Sequence, residues 1–138
     1  MCDPKDFANK VVIDVTNPLD FSAGVPPRLA VGYTDSAGEI IQRLLPEAQV
    51  VKAFNTVGNQ LMVHPTFQHC GPPTMFICGN NENAKRVVTD DVLTKFGWET
   101  IDMGGIEGAR LLEPLSMLWI TCYFQTNSAN HAFKLLRK

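Results

Sequence analysis

Four short apolar runs punctuate the chain, and each passes into a small polar cluster. Val11-Val12-Ile13-Asp14-Val15 leads into Thr16-Asn17-Pro18, and Val50-Val51-Lys52-Ala53-Phe54 leads into Asn55-Thr56. Thr74-Met75-Phe76-Ile77-Cys78 leads into Gly79-Asn80-Asn81, and Glu99-Thr100-Ile101-Asp102 leads into Met103-Gly104-Gly105. Apolar runs of this length, followed by a polar turn and then a helical pattern, predict buried parallel strands of an α/β sheet. Ligands of such sheets bind beyond the carboxyl ends of the strands, so the four polar clusters are candidate site segments.

The intervening segments supply the helices. Ser36 and Glu39 have capping-box spacing, and Ala37, Ile40, Ile41, Leu44 and Leu45 form one apolar stripe that Pro46 ends. Val57, Leu61 and Met62 suggest a short helix closed by His64-Pro65. Asn81 can cap a helix running to about Phe96, with Ala84, Val87, Val88 and Val92 facing inward and Gly97 as its stop. A long apolar helix is expected from about Ile106 to Phe124, kinked or split by Pro114. Leu19 to Asp35, with Gly24, Pro26, Pro27 and Gly32, reads as a long loop with a short extended piece at Leu29-Ala30-Val31. Ala132 to Leu136 is ambiguous between helix and strand. No repeat, low-complexity tract or long linker divides the chain, so residues 1–138 are expected to form a single domain.

Composition narrows the class. Hydrophobic residues make up 45% and charged residues 19% of 138, which is globular, and a chain of this length buries roughly two-thirds of its unfolded surface without staples. A net charge of -2 without a basic run argues against nucleic acid or a membrane surface as partner. No apolar stretch nears bilayer length, and Met1-Cys2-Asp3-Pro4-Lys5-Asp6 lacks the order of a signal peptide. The four cysteines form no C-x-x-C pair, and Cys78 and Cys122 lie in apolar segments, so a reduced, cytoplasmic setting is expected.

The chemistry-bearing residues are few. Asn17 and Asn55, at strand ends, each offer two donors and an acceptor, which suits a carboxamide or ribose; equally, Asn17 can shape the turn before Pro18 and Asn55 can cap a helix. Gly104-Gly105-Ile106-Glu107-Gly108 only partly matches a G-x-G-x-x-G turn: Met103 replaces the first glycine, and Glu107 would oppose a phosphate. Close helix–strand packing is the expected role of these glycines. His64, His69 and Cys70 match no zinc spacing, so surface histidines and no metal are expected. Asp14 and Asp102, within strands, are expected to be structural. No nucleophile–base order stands out, but hydride transfer asks the protein for positioning more than for an acid or base.

Taken together, Val-Val-Ile-Asp-Val-Thr-Asn-Pro-Leu, Leu-Leu-Pro followed by Val-Val-Lys-Ala-Phe-Asn-Thr-Val, Phe-Ile-Cys-Gly-Asn-Asn, and Gly97-Trp98 through Asp102-Met103-Gly104 with Ala109-Arg110-Leu111-Leu112-Glu113-Pro114-Leu115 resemble the NADP-dependent deazaflavin-coenzyme oxidoreductases. Relatives of that family include the cytosolic domain of the STEAP metalloreductases. Val50 to Val57 is the most specific block. The resemblance implies a partial Rossmann-like, three-layer α/β fold. Its sheet would have four mostly parallel strands with helices on both faces, and it would lack the first phosphate-binding βαβ half. It implies NADP(H) as cofactor, bound weakly or not at all by this half alone, with a deazaflavin or flavin as hydride acceptor. It assigns Thr16, Asn17, Pro18, Asn55, Thr56 and Val57 to the loops that approach the nicotinamide. The family's glycine-rich turn would precede Lys10, and Gly38 stands where its capped helix usually carries a side chain. Without the other half, the strand at Val11 becomes an open sheet edge, so a homo-oligomer or a separate amino-terminal half is the expected partner. An apolar helix face at Leu111, Leu115, Leu118 and Trp119 leaves a second role open, that of a non-catalytic interaction module.

Overall fold

A computed structural model describes residues 3–138; Met1 and Cys2 lie outside the described residues. Four strands, β1 (Val11–Asp14), β4 (Gln49–Lys52), β5 (Thr74–Gly79) and β6 (Glu99–Asp102), form one sheet in the order β1-β4-β5-β6. The expected strand set is therefore present. Two of its three pairings are parallel: β1 with β4, Val12 opposite Val50, and β5 with β6, Phe76 opposite Ile101. The central pairing is antiparallel, with Val51 opposite Gly79 and Lys52 opposite Cys78. Gly79 is required there, because a Cβ would stand 2.6 Å from the Val50 carbonyl oxygen.

That antiparallel step corrects one expectation. The carboxyl ends of β1 and β4 share one end of the sheet, and those of β5 and β6 point to the other. The four polar clusters thus split into two opposed pairs. The second pair is spent locally: Asn81 caps α2 (Glu82–Val87) by accepting from Ala84 N, and Asn80 accepts from Ile106 N.

Side chains alternate across the sheet and build a core on each face. On one face Val51, Met75 and Ile77 meet Ala84 of α2 together with Val88, Leu93 and Trp98. On the other, Val50 and Cys78 meet Ile106, Ala109 and Leu112, with Ile41 of α1 (Ala37–Leu44) and its C-cap Leu45 packed alongside. This is the three-layer arrangement the family resemblance implies. Helix α1 starts at Ser36, whose hydroxyl accepts from Glu39 N at 3.2 Å. Its buried face runs through Gly38, Glu39 and Ile41, and Leu44 points outward at 64% exposed. The apolar stripe placed Leu44 inside; the close seat at Gly38 turns it out.

The helix expected from Asn81 to Phe96 is α2 followed by a π-helical segment, Val88–Leu93. The wider turn carries Leu93 inward and leaves Val87 45% exposed. Helix α3 (Ala109–Thr126) follows a 3-10 turn at Ile106–Gly108 and runs unbroken through Pro114, so of the expected kink or split the split does not occur. The long loop contains a two-stranded antiparallel ribbon, β2 (Leu19–Asp20) with β3 (Arg28–Leu29). The terminal segment is neither helix nor regular strand. It lies against the start of β5, with Thr74 N donating to Phe133 O and Leu135 N to Thr74 Oγ1.

Candidate functional site

The shared carboxyl end of β1 and β4 is built around a buried cation. Lys52 closes β4 with its side chain fully buried. Its ammonium contacts Asp14 Oδ2 at 2.8 Å, Glu113 Oε1 at 2.7 Å and the Thr16 carbonyl oxygen at 2.6 Å. Asp14 ends β1, and its other oxygen accepts from Thr16 N at 2.9 Å and Thr16 Oγ1 at 2.8 Å, an Asx-type turn. Glu113, from α3, accepts from Ala37 N and Gly38 N, each at 3.0 Å, in the first turn of α1. Two carboxylates against one ammonium leave a surplus negative charge, which the positive end of α1 offsets. Buried charges are tolerated only when paired and hydrogen-bonded in this way.

The two asparagines meet beside this cluster. Asn17 Nδ2 donates to the Asn55 carbonyl oxygen at 2.8 Å, and Asn55 Nδ2 donates to Asn17 Oδ1 at 3.0 Å and Leu112 O at 2.8 Å. Two acceptors around Asn55 Nδ2 settle which way its amide points. Asn55 Oδ1 is then buried without a partner. Phe54, immediately before Asn55, has φ of 61°, an unusual conformation for a bulky residue. Its ring is buried, with centroids 6.2 Å from Phe96 and 6.5 Å from Trp98, so core packing holds the backbone there. Strain of this kind persists only where the surroundings over-determine it.

The six expected residues do come together, with different exposures. Thr16 is exposed, and Asn17 and Pro18 are half-buried. Asn55, Thr56 and Val57 are buried, and Val57 packs in the core with Val51 and Ala53. The next residue, Gly58, abuts Trp119, where a Cβ would lie 3.1 Å from the indole. Trp119 in turn stacks on His131 with centroids 4.6 Å apart, and its Nε1 donates to His131 O.

Lys52 and Glu113 were not anticipated. Their signal is visible in hindsight: each is one charge inside an apolar block, Val-Val-Lys-Ala-Phe and Leu-Leu-Glu-Pro-Leu, and the two are opposite in sign. Asp14, expected to be structural, anchors the Thr16 turn. Asp102 is 43% exposed at its side chain and pairs with Lys85 at 2.7 Å. The glycines after β6 lie at the opposite end of the sheet from Asn17. The Glu107 carboxylate folds over Gly105, and a Cβ on Gly108 would stand 2.9 Å from Cys78 Cβ, the close packing expected. Burial pushes the Cys78 thiol up to about 12. Beside the cluster, Arg110 makes two hydrogen bonds to Glu39, and these hold the Glu39 carboxyl below its ordinary range. Among the described residues, no group of three or more His, Cys, Asp or Glu could hold a metal ion, and no helix is long and apolar enough to cross a membrane.

This geometry can be set beside known proteins. The chain is 32% identical over 120 residues to the F420-dependent NADP reductase of Methanocaldococcus jannaschii, an alignment covering 84% of this chain and 52% of that protein. Its relatives thus include an NADP-linked oxidoreductase. Metalloreductase STEAP3 of Rattus norvegicus is 30% identical over 115 residues, 81% of this chain and 21% of that protein. Among solved structures, a candidate F420-dependent NADP reductase from Arthrobacter sp. FB24 superposes with a TM-score of 0.90 at 41% identity, over 97% of this chain and 61% of that one. A hypothetical protein from Sinorhizobium meliloti matches with a TM-score of 0.58 at 32% identity, over 72% of this chain and 46% of its own. No family model matches the chain. The resemblance read from the strand-end blocks thus agrees with the relatives, and the fold is that of an NADP reductase neighbour. The chain spans about half the length of the Methanocaldococcus protein.

Proposed function

We propose that the chain supplies the nicotinamide side of an NADP(H)-dependent hydride-transfer site, with a deazaflavin or flavin as acceptor. The observation that carries this reading is the Asn17–Asn55 pair at the shared carboxyl end of parallel strands, with one buried carboxamide oxygen lacking a donor. An unpaired buried acceptor costs about 1–3 kcal/mol. The carboxamide N–H of a nicotinamide has the chemistry to relieve it. Asn17, half-buried, lines the approach to that oxygen, while Asn55 is fixed by Leu112 O and by Asn17. Exposed Thr16 and the Pro18 turn form the outer lip. When bound, the cofactor supplies the hydride; the protein residues orient its ring and keep water from one face. Among the described residues no glycine-rich turn lies at this end of β1 or β4, so the phosphates and adenosine are left to another half-domain, and affinity for the whole dinucleotide is weak in this chain alone.

The test is a titration of the 15N-labelled chain. Nicotinamide mononucleotide should shift the side-chain amide resonances of Asn17 and Asn55, and 2′,5′-ADP should not. Shifts with 2′,5′-ADP alone, or shifts confined to other residues, would overturn the assignment.

A partner belongs to the same proposal. Lys10 O and Asp14 O accept from Gln49 N and Ala53 N, so the backbone of Val11, Ile13 and Val15 turns to the open side of β1. Val11 and Val15 are 37% and 45% exposed there. An amino-terminal α/β half is the natural cover, given relatives of greater length. Co-expression with such a half should produce NADPH binding far tighter than that of the chain alone; a half that pairs and yields no gain would refute it. Leu111 and Leu118, each 63% exposed on α3, favour the interaction-module alternative. That alternative requires Leu118→Asp to alter the sedimentation of the chain or of its complex.

A further inference from the structure

We infer that Lys52 is a positioning residue, whose ammonium holds the Thr16–Asn17 turn and α3 in the register that lets Asn17 and Asn55 meet. This rests on the reading of that pair as the nicotinamide contact. A lysine that merely neutralised a buried carboxylate would need one partner. All three of its N–H bonds are instead directed, two to carboxylates from different elements and the third to the Thr16 carbonyl.

Thr16 is exposed and follows the outermost strand of the sheet, so little packing holds it. Yet its N–H, its hydroxyl and its carbonyl are all engaged, the first two by Asp14 and the third by Lys52. Asn17 is the next residue. On the other side, Glu113 follows Leu112, whose carbonyl takes the Asn55 amide. Each asparagine is thus held through a backbone neighbour of the cluster. A buried ion cluster is often no better than an apolar replacement as a source of stability, so its use here is sought in geometry.

Lys52→Met alone strands two buried carboxylates and invites unfolding. The informative variant is the neutralised cluster, Asp14→Asn with Lys52→Met and Glu113→Gln. It should keep slow hydrogen exchange at Met75 and Val88, lose the wild-type side-chain amide shifts of Asn17 and Asn55, and bind nicotinamide mononucleotide roughly tenfold to hundredfold more weakly. Val88→Ala is the control: it lowers the melting temperature through the core and should leave those shifts and that affinity in place. Wild-type asparagine shifts in the neutralised variant would overturn the inference. Should that variant fail to fold, the wild-type chain decides by the 15N signal of the Lys52 ammonium. A slowly exchanging ammonium with scalar coupling to the Thr16 carbonyl supports the clamp, and an ammonium exchanging as fast as that of an exposed lysine overturns it. A wild-type chain whose asparagines ignore nicotinamide mononucleotide defeats the cofactor reading, whereas the clamp is still judged on the asparagine shifts of the unliganded protein.

Discussion

Gly38→Ala sets two effects of similar size against each other. The glycine is the second residue of α1, and alanine is the better helix former by about 1 kcal/mol. Against that, the new Cβ would lie 2.9 Å from Ala109 Cβ, 3.3 Å from Lys52 Cδ and 3.4 Å from Ile106 Cδ1. Ala109 Cβ is fixed to the backbone of α3 and cannot rotate away, so one helix must shift. Overpacking of this kind costs about 1–3 kcal/mol. The shift also lengthens the hydrogen bonds from Ala37 N and Gly38 N to Glu113, and bonds to a charged group are worth about 1.5–3 kcal/mol when fully made. The expected net effect is a loss of about 2 kcal/mol, or roughly 6–8 °C in Tm for a domain near this size. Urea unfolding followed by the fluorescence of buried Trp98 measures it through the midpoint at constant slope. Gly32→Ala is the control, because its Cβ would meet only Leu29 Cδ1 at 3.9 Å, and it should stay within about 0.5 kcal/mol of wild type. An unchanged or raised midpoint for Gly38→Ala would show that the α1–α3 seat is slack, and the account of Leu44 turned outward would fall with it.

Three further outcomes are expected. Ser36→Ala removes a buried cap that accepts from Glu39 N and donates to Glu39 Oε2 at 2.7 Å, and should cost about 1–2 kcal/mol in the same urea assay; no loss would deny the cap its role. The Glu39 carboxyl is held below its ordinary value of 4.5, first by the Arg110 hydrogen bonds, so its stabilisation is complete above 4.5 and is lost as pH falls through the lower folded value. Melting curves of wild type and Glu39→Gln should therefore draw together as pH falls below 4.5, and a constant gap down to pH 2 would contradict the pairing. With Cys78 buried and its thiol raised to about 12, iodoacetamide at pH 8 should label exposed Cys70 in the native chain and spare Cys78 until unfolding; peptide mapping that finds Cys78 labelled in the folded protein would refute the burial.

How much of this was legible in the residues differs by element. The strands were readable because each is a local apolar run: Val11 to Asp14 and Thr74 to Gly79 fall within a residue of where the pattern places them. The Ser36 and Asn81 caps were readable because a cap involves residues only three apart. The meeting of Asn17 with Asn55 followed from the order of polar strand ends, together with the family resemblance. Strand direction left no local trace, because Thr74-Met75-Phe76-Ile77-Cys78 is equally apolar whichever way it runs. Only the pairing of Val51 with Gly79 sends Asn80 and Asn81 to the far end of the sheet.

The buried cluster marks the same boundary. Lys52 and Glu113 each looked anomalous in an apolar block, but 61 residues separate them, and Asp14 is 38 residues before Lys52. Local spacing can state that a charge is out of place; it cannot name the partner that makes burial tolerable. By itself the sequence determined the strands, the caps and the strand-end asparagines, because those depend on near neighbours and on side-chain period. The tertiary structure decided which ends share a site and which charge neutralises which, because both depend on contacts made only when distant segments are brought to one end of one sheet.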